Sequence, residues 1–166
     1  MENYSIIKRL GKGAFGEVHL VRRSADGCEF ALKRTDFASL SVAEQKATML
    51  EVSLLAMLQH PHIIGYYDHF HDGDELCMVM ECAGGGDLDG ELRAARKAGT
   101  PLTEARLLDV LAQVGAALHY AHSCRIIHRD LKPANVLLHA DGSTRLADFG
   151  ISVSYTHLTL PTTPYV

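Results

Sequence analysis

Three glycines near the amino terminus follow a spacing that phosphate-binding loops use. They form a G-x-G-x-x-G pattern within Gly11-Lys12-Gly13-Ala14-Phe15-Gly16. Because glycine lacks a Cβ atom, such a backbone can approach a phosphate closely. The dinucleotide-binding version opens a helix, whereas the residues after Gly16 alternate as in a strand. A Walker loop requires lysine where Glu17 stands. Two interpretations remain: a hairpin that covers phosphates, or an ordinary glycine-rich turn.

Ten histidines in a chain of 166 residues raise the question of a metal site. Three pairs are close in sequence, at positions 60 and 62, 69 and 71, and 119 and 122. No cysteine or carboxylate completes a tetrahedral set at a known spacing. The four cysteines form no C-x-x-C pair, which favours reduced thiols. We therefore expect no metal centre built on these residues.

Composition limits the class of protein. Hydrophobic residues make up 47% and charged residues 22%, which is typical of a globular chain and excludes disorder, collagen and coiled coils. No apolar run reaches the roughly 18 residues of a membrane span, and the start lacks the apolar core of a signal peptide. The net charge is −4 and no basic block is present. We expect an intracellular protein that binds neither nucleic acid nor membranes.

The first third of the chain is expected to supply strands that position the glycine-rich run. The pattern of apolar residues predicts three strands, at residues 4–10, 17–23 and 28–34. Ala25-Asp26-Gly27 is a turn signal between the second and the third. In the third, Ala31 and Lys33 share a face because side chains repeat every two residues.

A helix is predicted next. Ser41 and Glu44 form a capping box, and leucines follow at fourfold spacing until Pro61 ends the helix. Glu51 lies four residues before Leu55 and so points towards the side on which Leu55 packs. Two further strands are predicted at residues 63–70 and 76–82, with a turn between them.

After Cys82 the hydrophobic period changes. The glycine-rich stretch 83–87 marks a boundary between two lobes, and a short helix is predicted over 87–98. Thr103 caps a longer helix, whose apolar positions are Leu107, Leu111, Val114, Leu118 and Ala121. A polar loop over 128–135 and two short strands at 136–139 and 144–147 follow.

Five motifs occur together in this short chain. They are Gly11-x-Gly13-x-x-Gly16-x-Val18, Ala31-Leu32-Lys33, the helical Glu51, His128-Arg129-Asp130-Leu131-Lys132-Pro133-Ala134-Asn135, and Asp148-Phe149-Gly150. In order and spacing the set resembles the protein-kinase signature. The resemblance covers residues 4 to about 152 and implies an α+β, two-lobed kinase fold: an antiparallel N-lobe sheet with one helix, and a mostly helical C-lobe cut off after Gly150.

The resemblance implies a catalytic role for four residues. Lys33 would bind the α- and β-phosphates of ATP, and Glu51 would hold Lys33 in place. Asp130 would accept or orient the substrate hydroxyl proton, and Lys132 would contact the γ-phosphate. A lysine at this position is the serine/threonine-kinase pattern.

The resemblance also implies the cofactors, MgATP. Asn135 and Asp148 would hold Mg²⁺, which prefers oxygen ligands. The nucleotide would contact the glycine-rich hairpin and an adenine pocket, comprising Gly11, Lys12, Gly13, Ala14, Phe15, Gly16, Val18, Ala31, Met80, Glu81, Ala83 and Leu137. The hinge would be Glu81-Cys82-Ala83, whose backbone recognises the adenine edge, with Met80 at the back of the pocket. Leu55, Tyr66, His128 and Phe149 would form a hydrophobic column linking the lobes.

Within the kinases, the chain is most similar to the NIMA-related (Nek) group; another branch of serine/threonine kinases is the alternative. The similarity includes Leu58-Gln59-His60-Pro61-His62 and Met80-Glu81-Cys82. If the chain is Nek-like, a cytoplasmic protein associated with the cytoskeleton or the centrosome is expected.

The resemblance divides the chain into three parts. Residues 4–83 are the N-lobe and hinge, and residues 84–152 begin the C-lobe. Residues 153–166 resemble translated sequencing-adapter sequence and are expected to be an artefactual, non-family tail.

Two functions stay open. The parent protein would transfer phosphoryl groups from ATP to serine or threonine of protein substrates. The 166-residue polypeptide, which lacks most of a C-lobe, would be a non-catalytic nucleotide-binding or regulatory fragment.

Overall fold

The structure is a computed structural model that describes residues 1–13 and 16–149 and the backbone of 153–154. Two predicted nucleotide contacts, Ala14 and Phe15, lie outside the described residues, as do Gly150 and most of the tail. The strands are β1 (Tyr4–Gly13), β2 (Gly16–Arg23), β3 (Glu29–Asp36), β4 (Tyr66–Asp72), β5 (Glu75–Met80), β6 (Ile126–Ile127), β7 (Val136–Leu138), β8 (Thr144–Leu146) and β9 (Val153–Ser154). The helices are α1 (Val42–Met57), α2 (Leu88–Ala98) and α3 (Glu104–Ser123), with a 3-10 turn at Pro133–Asn135.

The amino-terminal half is a five-stranded antiparallel sheet in the order β1-β2-β3-β5-β4. Alternation along the strands buries one set of side chains in a small core, which comprises Val21, Phe30, Leu32, Cys77 and Val79. The sheet and the helical segments that follow it confirm the expected α+β kinase fold.

Helix α1 begins as the capping box predicts. Ser41 Oγ accepts a hydrogen bond from the Glu44 amide, and the Ser41 amide donates to Glu44 Oε2 at 2.8 Å. These contacts lower the pKa of Glu44, the side-chain hydrogen bond from Ser41 contributing most. The helix ends at Met57, not at Pro61, because Leu58 is already extended.

The connection after α1 also differs from the prediction. A strand was expected from residue 63, but β4 begins at Tyr66. Ile63 and Ile64 instead lie beside β8: the Ile64 amide donates to Leu146 O at 3.0 Å, and the Leu146 amide donates to His62 O at 2.9 Å. The segment joins the lobes because its hydrogen bonds go to a strand some 80 residues away, which no local pattern reveals.

The second half begins with two capped helices. Asp87 accepts from the Gly90 amide at 2.7 Å at the start of α2, and Thr103 caps α3 as predicted. The buried face of α3, which contacts β6 and β8, carries Val110, Ala117 and Ala121. Two leucines predicted for its apolar face, Leu107 and Leu111, are exposed by 42% and 66%, and the neighbouring Leu108 is exposed as well. The apolar stripe of α3 is therefore wider than the face that these neighbours cover.

One larger core spans both lobes. It joins buried residues of α1, β5 and α3 with those of the short C-lobe strands, and Phe149 is fully buried in it. Because α1 and the segment that carries Asp148 share this core, their relative positions are fixed by packing. None of the described helices is long and apolar enough to cross a lipid bilayer.

Two neighbouring glycines after the hinge provide a matched test of this packing. A Cβ on Gly85 would lie 2.7 Å from Leu138 O and 2.8 Å from His139 O, whereas one on Gly84 would meet nothing within 4 Å. We expect Gly85→Ala to lower the free energy of unfolding by about 1–3 kcal/mol, because backbone atoms must move. Gly84→Ala is the control. Equal urea midpoints for the two variants would contradict the packing described.

Candidate active site

Lys33 and Glu51 form an ion pair between β3 and α1. Lys33 Nζ donates to Glu51 Oε1 at 2.7 Å, and Glu51 is only 8% exposed. Glu44, the other glutamate on this helix, is used as the cap. The pair fixes a cationic side chain on the same face of β3 as Ala31.

The glycine-rich run forms the end of the β1–β2 hairpin. Gly11 pairs with Val18, Lys12 with Glu17 and Gly13 with Gly16. Gly16 has a φ of 142°, and a Cβ there would lie 1.9 Å from Arg34 O, so only glycine fits. The run is therefore a hairpin and not the start of a helix.

The residues expected around adenine are on adjacent elements. Val18 on β2 is opposite Lys33, and Ala31 on β3 is opposite Met80, the last residue of β5. Leu137 lies on β7, which forms a bridge to Asp87 just after the hinge. Strand pairing thus places Val18 and Ala31 on the N-lobe side of the hinge and Leu137 on its C-lobe side.

Both ends of the hinge are held by backbone hydrogen bonds, whereas its middle residues are not held in this way by any described residue. The Glu81 amide donates to Gly65 O at 2.7 Å, and the Gly85 amide donates to Leu138 O at 2.7 Å. Within the described part of the chain, the amides and carbonyls of Cys82, Ala83 and Gly84 make no backbone hydrogen bond. These groups are available to a heterocycle that carries both donors and acceptors.

Asp130 lies at the centre of a polar cluster. Its Oδ2 accepts from Lys132 Nζ at 2.6 Å and from Asn135 Nδ2 at 3.0 Å. The hydrogen bond from Lys132 lowers the pKa of Asp130 most, partial desolvation opposes this shift, and the Asn135 amide adds to the lowering. In return, Asp130 raises the pKa of Lys132. At neutral pH the cluster therefore contains a carboxylate and an ammonium group.

Asn135 and Asp148 supply oxygen atoms beside this cluster. Asn135 uses its Nδ2 to donate to Asp130, which leaves Oδ1 free to bind a cation. Asp148 is exposed, has a φ of 64°, and its charge contributes to the raised pKa of Lys132. Among the described residues no group of three or more histidines, cysteines or carboxylates could hold a metal ion. An amide and a carboxylate oxygen fit Mg²⁺ that is also bound by phosphates.

Packing holds the loop of Asp130 against the segment that carries Asp148. The ring centroids of His128 and Phe149 lie 4.6 Å apart, and His128 Nε2 lies 2.9 Å from Ala147 O. The Asp130 amide donates to His128 Nδ1 at 3.2 Å. Leu55 and Phe149 are buried in the shared core, and Tyr66 packs against it. His128 thus connects the loop of Asp130 to the segment of Asp148.

One contact at the hinge has no signal in the sequence. Arg145 on β8 donates through Nε to Glu81 Oε1 at 3.0 Å. Because 64 residues separate the two, neither motif nor periodicity relates them.

Comparisons with known proteins agree with this geometry. The family model described as "Protein kinase domain" matches residues 4–165. The chain is 35% identical to serine/threonine-protein kinase Nek1 of Mus musculus over 152 residues, which are 92% of this chain and 12% of that protein. It is 39% identical to probable serine/threonine-protein kinase nek3 of Dictyostelium discoideum, over 92% of this chain and 14% of that protein.

An Aurora kinase of Schizosaccharomyces pombe is also similar, with 37% identity over 90% of this chain and 41% of that protein. The predicted similarity to Nek kinases is confirmed, and Aurora kinases stand beside them at comparable identity. The chain spans less than half the length of each of these relatives. The motifs, the two-lobed fold and these matches together assign the chain to the protein kinase domain family.

Proposed function

We propose that the protein carrying this domain transfers the γ-phosphoryl group of ATP to serine or threonine hydroxyls of protein substrates. The observation that carries the proposal is the Asp130 cluster, where the carboxylate accepts hydrogen bonds from the Lys132 ammonium group at 2.6 Å and from the Asn135 amide at 3.0 Å. Lys132 in this cluster supports the choice of serine and threonine.

Lys33 would position the nucleotide. Its ammonium is held at 2.7 Å from Glu51, so its direction is set before phosphates bind. Positioning and charge stabilisation supply most of the catalysis of phosphoryl transfer. The glycine-rich hairpin would cover the phosphates, with Gly11, Lys12, Gly13 and Gly16 contributing backbone groups.

Asp130 would orient the attacking hydroxyl. Its carboxylate is ionised at neutral pH and can accept the hydroxyl proton. Lys132 would bind the γ-phosphate from its place beside Asp130. Mg²⁺, held by Asn135 and Asp148, would neutralise charge on the phosphates.

For the domain itself, we propose an N-lobe and hinge over 4–83 and the first part of a C-lobe over 84–152. The family match continues to residue 165. We propose that 153–166 is nevertheless a non-family tail; an independent genomic read that contains codons 153–166 would contradict this.

A second candidate concerns the 166-residue polypeptide alone. Leu107, Leu108 and Leu111 on α3 are exposed, which favours association or poor stability over a complete catalytic unit. We propose that this polypeptide binds nucleotide weakly and transfers no phosphate. A monomeric 1–166 polypeptide with a cooperative melt that phosphorylates a generic protein substrate would overturn this.

The role of Lys33 is tested in the protein that carries this domain. Lys33→Met should lower the rate of peptide phosphorylation by about a hundredfold or more, because the phosphates lose a positioned cation. Lys46→Met is the control, since Lys46 is an exposed lysine on α1. Wild-type rates in Lys33→Met would refute the role.

The role of Asp148 is tested by nucleotide binding. Asp148→Asn removes an anionic oxygen ligand, so the gain in ATP affinity on adding Mg²⁺ should fall by at least about tenfold. Binding without the metal serves as the control in the same titration calorimetry. Equal losses with and without Mg²⁺ would count against a metal role.

The charge of the Asp130 cluster is tested by titration. Lys132→Met removes the main cause of the lowered pKa of Asp130, so the pKa should rise towards the ordinary range of an aspartate side chain. Carboxyl ¹³C shifts measured against pH would report the change. Asp26, whose pKa is lowered by Arg23, is the internal control and should not move. An unchanged Asp130 pKa would contradict the described contact.

A further inference from the structure

The side chain of Glu81 connects the start of the hinge to other segments. Its Oε1 and Oε2 accept from Arg145 Nε at 3.0 and 3.2 Å. Its Oε2 also accepts from the Gly65 amide at 3.0 Å. The carboxylate thus contacts both β8 and the connection that follows α1.

The contact with Gly65 is reciprocal. The Glu81 amide donates to Gly65 O, while the Gly65 amide donates to the Glu81 side chain. A Cβ on Gly65 would lie 3.3 Å from Glu81 Oε2, so the approach is close. Two hydrogen bonds between the same residues restrict both the position and the rotation of the hinge peptide.

Arg145 is itself held in place. Its Nη1 donates to Thr144 O at 3.1 Å and to Ser143 Oγ at 3.3 Å. Thr144 is fully buried, and both its amide and its hydroxyl donate to Gln113 Oε1 on α3. The guanidinium that Glu81 contacts is therefore hydrogen-bonded to a residue, Thr144, that is itself hydrogen-bonded to α3.

The Glu81 carboxylate and Arg145 are shielded from solvent, with side chains 20% and 18% exposed. Removing one partner would leave the other charge poorly solvated. His139 Nε2 also lies 2.9 Å from Glu81 Oε1, but within the described residues its direction does not satisfy a hydrogen bond. The Arg145 and Gly65 contacts carry the argument.

We propose that Glu81 is a positioning residue for adenine recognition, an inference that rests on the proposed function. Through Arg145 and Gly65 it holds the hinge so that the free backbone groups of Cys82 and Ala83 face the adenine edge. Without these contacts the hinge would populate several positions, and adenine affinity would fall by the fraction of chains in the competent one. Phosphate binding, which depends on Lys33 and the glycine-rich hairpin, would be unaffected.

Two ligands separate these effects in the protein that carries this domain. Adenosine carries no phosphate, and magnesium tripolyphosphate carries no adenine. We expect Glu81→Ala to weaken adenosine binding by about tenfold while tripolyphosphate binding is unchanged. Glu81→Gln keeps an acceptor for the Gly65 amide and should lie between Glu81→Ala and the wild type.

Glu91→Gln is the matched control. Glu91 forms a similar two-point pair with Arg106 between α2 and α3, at 27% and 21% exposure, away from the hinge. It should leave adenosine affinity unchanged. Where Glu81→Ala fails to fold, Arg145→Lys replaces it, because lysine keeps the charge but not the Nε contact to both oxygens.

The outcomes are distinguishable. Selective loss of adenosine binding supports the inference. A wild-type chain that binds both ligands, with Glu81 and Arg145 variants that lose neither or lose both equally, overturns this inference and leaves the proposed function standing. A wild-type chain that binds neither ligand overturns the nucleotide site on which both rest.

Discussion

The ion pair between Lys33 and Glu51 determines the direction in which the Lys33 ammonium group points. A strand and a helix meet at this contact, so the sheet, the capped helix and the shared core all bear on its geometry. The capping box sets the start of α1, and four residues after Glu51 the side chain of Leu55 enters the core. Moving α1 would therefore move a charge and a core residue together.

The same core reaches the loop that carries Asp130. Phe149 is buried in it, and His128 packs on Phe149 while accepting from the Asp130 amide. One continuous set of packed side chains therefore connects Glu51 on α1 with Asp130 in the C-lobe. The hinge is a second connection, anchored at Glu81 and Gly85 with free backbone groups between. A cleft built this way can hold the two ends of one nucleotide at fixed separation.

Local patterns in the sequence predicted much of this arrangement. Alternation gave the first three strands, the capping box gave the start of α1, and the motif set gave the family. The features that local patterns did not reveal are non-local: residues 62–64 hydrogen-bond to or bridge β8, and Arg145 pairs with Glu81 across 64 residues. The predicted apolar face of α3 is partly exposed for a related reason. Periodicity marks Leu107 and Leu111 as apolar, but only neighbouring elements decide which apolar residues are covered.

The most direct measurement is a double-mutant cycle on Lys33 and Glu51, read as MgATP affinity in the protein that carries this domain. The variants are Lys33→Met, Glu51→Gln and the pair combined. If Glu51 acts only by holding Lys33, the double variant should bind MgATP no more weakly than Lys33→Met alone. Losses that add, so that Glu51→Gln weakens binding as much without Lys33 as with it, would contradict the account.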